Sequence, residues 1–224
     1  FELIGKLNKY DVIYSKNEIL EGFIIKFLIG YKNIPPIIFG CHTPIRYPNS
    51  NTFHSILHNA LYNSLCYKFL SSGVRCFHVL NSSDERAVKA LFPNMPVKKI
   101  YNPFDFEEFS KISTDYPIKI EKARRTTNII WVGRLTEQKG VDDLIKIIEI
   151  VNSTELNEMI SWNIVGDGEE KEKLINCSKK WKNVNYMGHI DHNYLPSLYK
   201  NNNLLISTSK WEGFPYNILE AQAL

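Results

Sequence analysis

Asn128-Ile129-Ile130-Trp131-Val132-Gly133-Arg134-Leu135-Thr136-Glu137-Gln138-Lys139-Gly140 decides the fold class. An apolar run of four, Ile129 to Val132, ends at a glycine, and a polar loop follows. Val141, Leu144, Ile145, Ile148 and Val151 then recur at spacings of three and four. The run at 128–132 reads as a strand, and the spacing predicts a helix over 140–152 with one apolar face against a sheet. Strand, short loop and sheet-packed helix form the repeating unit of a parallel α/β architecture.

The same rhythm extends in both directions. Downstream lie candidate strands at 161–165, 184–187 and 204–207, with helical patterns at 169–180, 193–200 and from near Pro215. Upstream, strands are expected at 11–14, 36–41, 75–80 and 97–101, with helices near 17–29, 53–71 and 83–92. Ser82 or Ser83 is the expected cap of the last helix, with Glu85 in its first turn. Between 104 and 127 the pattern lapses into mixed charge (Glu107, Glu108, Lys111, Lys119, Glu121, Arg124, Arg125). The expected organisation is therefore a domain over 1–105, a linker over 106–127 and a second domain over 128–224. Sheets of this kind bind ligands at the carboxyl ends of their strands, so motifs that directly follow strands carry the functional information.

Composition narrows the partners. A formal charge of +3 over 224 residues is too small for the basic surface that nucleic-acid binding requires, yet it suits an anionic small molecule. Cys41, Cys66, Cys76 and Cys177 form no C-x-x-C pair, which points to reduced thiols in a cytoplasmic protein. The N-x-[ST] sequons at Asn81, Asn152 and Asn176 read as chance. The most apolar stretch, 19–29, is interrupted by Glu21, Gly22 and Lys26 and is too short to span a bilayer. No signal peptide is expected, and a start at Phe1 with an end at Leu224 inside a helical pattern reads as part of a longer chain. His54 and His58 share the spacing of a helical metal pair, but no third ligand follows them. No G-x-S-x-G elbow or Walker-type loop is present.

Three motifs follow strands. In Gly133-Arg134-Leu135-Thr136-Glu137-Gln138-Lys139-Gly140, an arginine and a lysine five residues apart can converge on one polyanion. Arginine offers a planar fork to phosphate oxygens and lysine a mobile point charge. Gly133 permits a close backbone approach. Taken alone, this spacing is more often a solvated basic loop. In Glu212-Gly213-Phe214-Pro215-Tyr216-Asn217-Ile218-Leu219-Glu220, two carboxylates sit eight residues apart, one in a loop and one in the next helix. Pro215 suits the first helical turn, leaving the following amides to face an anion. A capped surface helix with two unrelated glutamates is the plainer reading. The third motif, Val165-Gly166-Asp167-Gly168, is explained equally well by a tight turn.

In order and spacing, these residues resemble glycosyltransferase family 4, the retaining GT-B enzymes. The likeness rests on G-R-L-x3-K-G, the strand ending G-D-G, the N-V-x-[YF]-x-G-x-[IV] element at 183–190, and W-E-G-F-P-x-x-x-L-E-A at 211–221. Thinner matches lie at 10–13, at 39–43, which ends a strand near His42, and at Ile100-Tyr101-Asn102-Pro103-Phe104-Asp105. The resemblance implies two Rossmann-like domains with parallel sheets facing a central cleft, both truncated. The 224 residues alone are accordingly expected to be inactive.

The resemblance also implies roles. Arg134 and Lys139 would bind the diphosphate of a nucleotide sugar and stabilise the charge that grows on the leaving nucleotide, as a metal would. Glu220 would take the ribose hydroxyls. Glu212, with the amides of Gly213 and Phe214, would contact the transferred sugar, and His42 would face it from the first domain. Gly133, Gly166, Gly188, His189 and Pro215 complete the expected donor site, with the base packed against the loop at 187–190. No metal and no cofactor are expected; Asp167-Gly168-Glu169 is the nearest approach to a metal-binding D-x-D. The implied reaction moves a hexosyl group to a glycan, lipid-linked or small-molecule acceptor. If the acceptor is a lipid, the segment at 20–29 with Lys26 and Lys32 is where peripheral contact with the inner face of a membrane is expected. Pro103 stands where the family has a hinge glycine. The alternative is a non-catalytic nucleotide-sugar-binding protein, against which the intact Arg134, Lys139, Glu212 and Glu220 argue. A dinucleotide-dependent oxidoreductase is disfavoured, because no G-x-G-x-x-G opens a helix.

Overall fold

The computed structural model describes residues 9–16, 35–42, 56, 59–60, 73–112, 117 and 126–224. The expected helices near 17–29 and 53–71, the His54/His58 pair and Cys66 fall essentially outside them. The chain divides into two compact units, one of residues 1–103 with Trp211–Phe214, the other of Phe104–Lys210 with Pro215–Leu224.

In the first unit, strands β1 (Ile13–Lys16), β2 (Ile37–Cys41), β3 (Val74–Val79) and β4 (Val97–Lys99) form a parallel sheet in that order. Its core gathers Ile37, Phe39, Phe77 and Val79 against Val88. Val88 lies on helix α1 (Ser82–Leu91). Here the structure corrects the expected cap. Asn81, rather than either serine, accepts the Asp84 amide at 2.8 Å, and its own Nδ2 donates to the Asp84 carboxylate at 2.7 Å. Asparagine reaches both partners because it carries an acceptor and two donors on one short stem.

The second unit begins with a helix where the sequence read as linker. Helix α2 (Phe106–Lys111) is capped by Asp105, which accepts the Glu108 amide, and it buries Phe109. The charge that hid this helix lies on its outer face, in Glu107, Glu108 and Lys111, all exposed. Strands β5 (Thr127–Val132), β6 (Ile160–Val165), β7 (Val184–Gly188) and β8 (Leu204–Leu205) form a second parallel sheet in the order β7-β6-β5-β8. Along β5, Ile129 and Trp131 face one hydrophobic layer and Ile130 the other, as alternation in a sheet buried on both faces requires. Helices α3 (Val141–Asn152) and α4 (Lys171–Lys180) cover the first layer through Leu144, Ile148 and Leu174. Helix α5 (Leu195–Lys200) joins Phe109 on the second. Truncating Leu144 or Leu174, both fully buried, would cost about 2–5 kcal/mol.

Strand order reverses at β5. The chain steps from β5 to β6 to β7 on one side, then returns to place β8 on the other. In parallel sheets, this switch point is where a crevice opens beyond the strand ends. No helix among the described residues is long and apolar enough to cross a membrane.

Candidate active site

The glycine-ended strands of the second unit close on one another at that switch point. Gly133, just past β5, donates its amide to Val165 O at 3.1 Å, and Gly166, just past β6, donates to Gly188 O at 2.8 Å. Gly166 lies so close to Gly133 that a Cβ on it would overlap the Gly133 carbonyl. Three glycines predicted for the site are thus brought together at the carboxyl ends of β5, β6 and β7. Lys139 joins them, since a Cβ on Gly133 would lie 3.4 Å from the lysine's Cδ. Arg134 is exposed beside Gly133, and the neighbouring Leu135 is fully buried and donates its amide to Asp167 O at 2.9 Å. The arginine therefore projects from a loop anchored on both sides.

The loop after β8 secures the same region through residues that sequence reasoning did not find. Trp131 Nε1 donates to Thr208 Oγ1 at 3.0 Å, and that hydroxyl donates to Lys139 O at 2.9 Å. The Lys210 amide donates to Gln138 O at 2.8 Å. Gly140 lies in the left-handed region at φ 68°, and a Cβ there would overlap the Thr208 carbonyl. Only glycine meets both demands without strain.

Glu220 is 7% exposed on helix α6 (Tyr216–Gln222). Tyr199 donates its hydroxyl to Glu220 Oε2 at 2.9 Å, and His192 Nε2 lies 3.2 Å from Oε1. Burial first, then the charge and hydrogen bond of Glu220, push the Tyr199 phenol far above its ordinary value, so it remains a donor. An ionised carboxylate has about four acceptor positions, so these two partners orient Glu220 and still leave capacity for a ligand. His192 reaches the glutamate although it is exposed, as His189 is.

Around Pro215 the structure departs from expectation. Pro215 caps α6 from outside, at φ −82° and ψ 92°, instead of occupying its first turn. The Ile218 amide is taken by Pro215 O at 3.2 Å and by the Asn217 side chain at 3.0 Å, so it does not face an anion. Asn217 also donates to Val132 O at 2.9 Å, tying α6 to the end of β5. The Asp167 carboxylate is turned to its own loop, accepting the Gly168 amide at 2.8 Å. Among the described residues no cluster of three or more His, Cys, Asp or Glu side chains could hold a metal.

The remaining predicted residues belong to the first unit. Glu212, Gly213 and Phe214 group there with His42. A Cβ on Gly213 would lie 2.7 Å from His42 O, Asn81 donates to Gly213 O at 3.3 Å, and the Phe214 ring packs on Tyr101 with centroids 5.9 Å apart. His42 follows β2 and shares a hydrogen-bonded cluster with Tyr14 and His78.

Two parallel α/β sheets, the second opening glycine-ended strands at a switch point, define a GT-B fold. Residues 113–224 match the family Glycosyl transferases group 1, and the chain belongs to that family. A Klebsiella pneumoniae protein, the uncharacterized 41.2 kDa protein in cps region, is 28% identical over 97% of this chain and 59% of its own length. The Escherichia coli UDP-Gal:alpha-D-GlcNAc-diphosphoundecaprenol alpha-1,3-galactosyltransferase is 27% identical over 97% of this chain and 57% of its own. The chain thus spans less than two thirds of either relative. Among solved structures, a mutant TarM from S. aureus in complex with Fondaparinux, alpha-GlcNAc-glycerol and UDP matches with a TM-score of 0.67 at 16% identity, over 98% of this chain and 42% of that one. The E. coli structure described as trehalose-6-phosphate bound with UDP-2-fluoro glucose matches at 0.73 and 13%, over 99% and 58%. At such identities the likeness is one of fold.

Proposed function

We propose that the protein is a retaining, metal-independent family 4 glycosyltransferase that moves a hexosyl group from a nucleotide-diphosphate sugar to a glycan, lipid-linked or small-molecule acceptor. The observation that carries this reading is the closure of Gly133, Gly166 and Gly188 on one another beside the Lys139 stem. Backbone without side chains at three adjacent strand ends admits a diphosphate close to the main chain, with two cations on the loop above it. In this reading Arg134 and Lys139 neutralise the leaving nucleotide. Glu220 takes the ribose hydroxyls, with Pro215 and His189 at the margin of the donor. Glu212, Gly213, Phe214 and His42 serve the transferred sugar. The domains proposed are 1–105 for the acceptor and 128–224 for the donor, joined through 106–127. The name of the E. coli relative, which gives its acceptor as alpha-D-GlcNAc-diphosphoundecaprenol, supports a lipid-linked acceptor. Work at the inner face of a membrane is part of the same proposal.

Thermal melting with UDP, GDP and ADP, each with and without EDTA, tests the proposal. A nucleotide at a hundred times its Kd stabilises by about 2.7 kcal/mol. At about 2–4 °C per kcal/mol for a chain of this size, the expected rise is roughly 5–11 °C, unaltered by EDTA and abolished in Lys139→Ala. If no nucleoside diphosphate raises the melting temperature, the donor site is misassigned. A shift that requires a divalent ion removes the metal-independent mechanism.

A further inference from the structure

Register in the second sheet brings the end of β5 beside the loop that follows β8. Ile129 and Ile130 pair with Leu204 and Leu205, and the Ile206 amide then donates to Ile130 O at 2.9 Å. Trp131, the next residue along β5, is 2% exposed, and its Nε1 donates to Thr208 Oγ1 at 3.0 Å. The Thr208 hydroxyl donates in turn to Lys139 O at 2.9 Å. No titratable group enters this chain, so atom type alone fixes its direction. An indole N–H only donates and a carbonyl only accepts, so the hydroxyl accepts from Trp131 and gives its one proton to Lys139.

Lys139 closes the single turn Glu137–Lys139. A turn of three residues has too few internal bonds to hold its own geometry, so ties from outside must hold it. The Lys139 amide donates to Thr136 O at 3.0 Å, the Lys210 amide donates to Gln138 O at 2.8 Å, and the Lys139 carbonyl takes the Thr208 proton. From this clamped main chain the lysine stem runs alongside Gly133. A Cβ placed on that glycine would lie 3.4 Å from Lys139 Cδ and 3.2 Å from the Trp131 ring. Trp131 therefore acts twice. Its ring borders the glycine that the lysine stem passes, and its N–H orients the hydroxyl that holds the lysine's main chain.

We infer that Trp131 and Thr208 are positioning residues for Lys139. Indole, hydroxyl and carbonyl together hold the lysine's main chain so that its side chain runs along the strand-end glycines, where the nucleotide's phosphates are read to sit. This rests on the reading that Lys139 binds the diphosphate.

The test is titration calorimetry of the full-length protein with UDP, GDP and ADP, using whichever binds the wild type most tightly. Lys139→Ala should weaken that nucleotide about ten- to a hundredfold, the size of one charge-assisted hydrogen bond. Thr208→Val keeps the side-chain shape and deletes the hydroxyl, and should weaken binding about three- to tenfold as the lysine loses its place. In the Lys139→Ala background the same change should cost less than about twofold, because no cation is left to misplace. Thr208→Ser, which restores the hydroxyl, should recover most of the affinity. Trp131→Phe should show the same dependence on background, and it carries the test if Thr208→Val fails to fold. Equal losses in both backgrounds, or no recovery in Thr208→Ser, would overturn the inference. The two claims fail differently. No nucleotide binding in the wild type, or wild-type affinity in Lys139→Ala, refutes the reading of Lys139 and the positioning role with it. Weak binding in Lys139→Ala beside an unaltered Thr208→Val refutes the positioning role alone.

Discussion

Removing the Tyr199 hydroxyl tests how Glu220 is held. Both residues are 7% exposed, and the phenol donates to Oε2 at 2.9 Å, so Tyr199→Phe leaves a buried charge without its best donor. Hydrogen bonds to charged groups contribute about 1.5–3 kcal/mol. In a chain of this size that corresponds to a fall in melting temperature of roughly 3–12 °C. Glu220→Gln keeps an acceptor for Tyr199 and removes the charge, so the same Tyr199→Phe change in that background should cost only about 0.5–1.5 kcal/mol. The double-mutant cycle, run by urea unfolding, should therefore show a coupling of about 1–2 kcal/mol. His192 supplies an internal contrast. Its side chain is 60% exposed, so its contact with the other carboxylate oxygen is screened, and His192→Ala should cost no more than about 1 kcal/mol. Additivity of Tyr199→Phe and Glu220→Gln within about 0.5 kcal/mol would refute the view that the phenol orients the carboxylate.

Two further outcomes follow from the second unit. Gly140 and Gly188 share a left-handed backbone (φ 68° and 70°), but a Cβ meets the Thr208 carbonyl at the first and nothing within 4 Å at the second. Gly188→Ala should thus cost about 1–2 kcal/mol and Gly140→Ala at least about 1 kcal/mol more by urea unfolding, and equal costs would show that the Thr208 contact yields freely. On the alkaline side, burial and Glu220 raise the Tyr199 phenol, while Asp142 and Glu170 push Lys173 up to about 12. A raised value in the folded state gives stability that is complete below the unfolded value, about 10, and is lost as pH rises beyond it. Unfolding free energy should accordingly fall between about pH 10 and 12, less steeply in Tyr199→Phe, though Tyr14 and Tyr186, raised in the same direction, keep some slope; a Tyr199→Phe curve parallel to wild type would remove the phenol from this linkage.

The second unit was largely legible because its information is local. Apolar period fixed β5 and α3 to within one residue at each end, and strand-end glycines marked the loops that converge. The elements that escaped depend on contacts between distant residues or on patterns that charge obscured. Helix α2 was missed because three of its six residues are charged, leaving Phe109 as its one buried anchor. The cap at Asn81 was missed because serine and asparagine are near-equal caps, and only the Asp84 carboxylate beside the amide decides between them.

The site divides along the same line. Residues proposed to touch a ligand were readable, since arginine, lysine, glutamate and glycine after strands carry their chemistry in their type and spacing. Residues that orient them were not, since Tyr199 and His192 stand 21 and 28 positions from Glu220 and are joined to it only by folding. The first unit shows what signal such partners leave. Gly40 interrupts the otherwise apolar run Ile37-Ile38-Phe39-Gly40-Cys41, and glycine inside a strand weakens it unless another group passes close over the backbone. Tyr14 is that group. A glycine inside a strand therefore marks where a neighbouring strand's side chain passes close over the backbone, and here that side chain joins His42 and His78 through its hydroxyl.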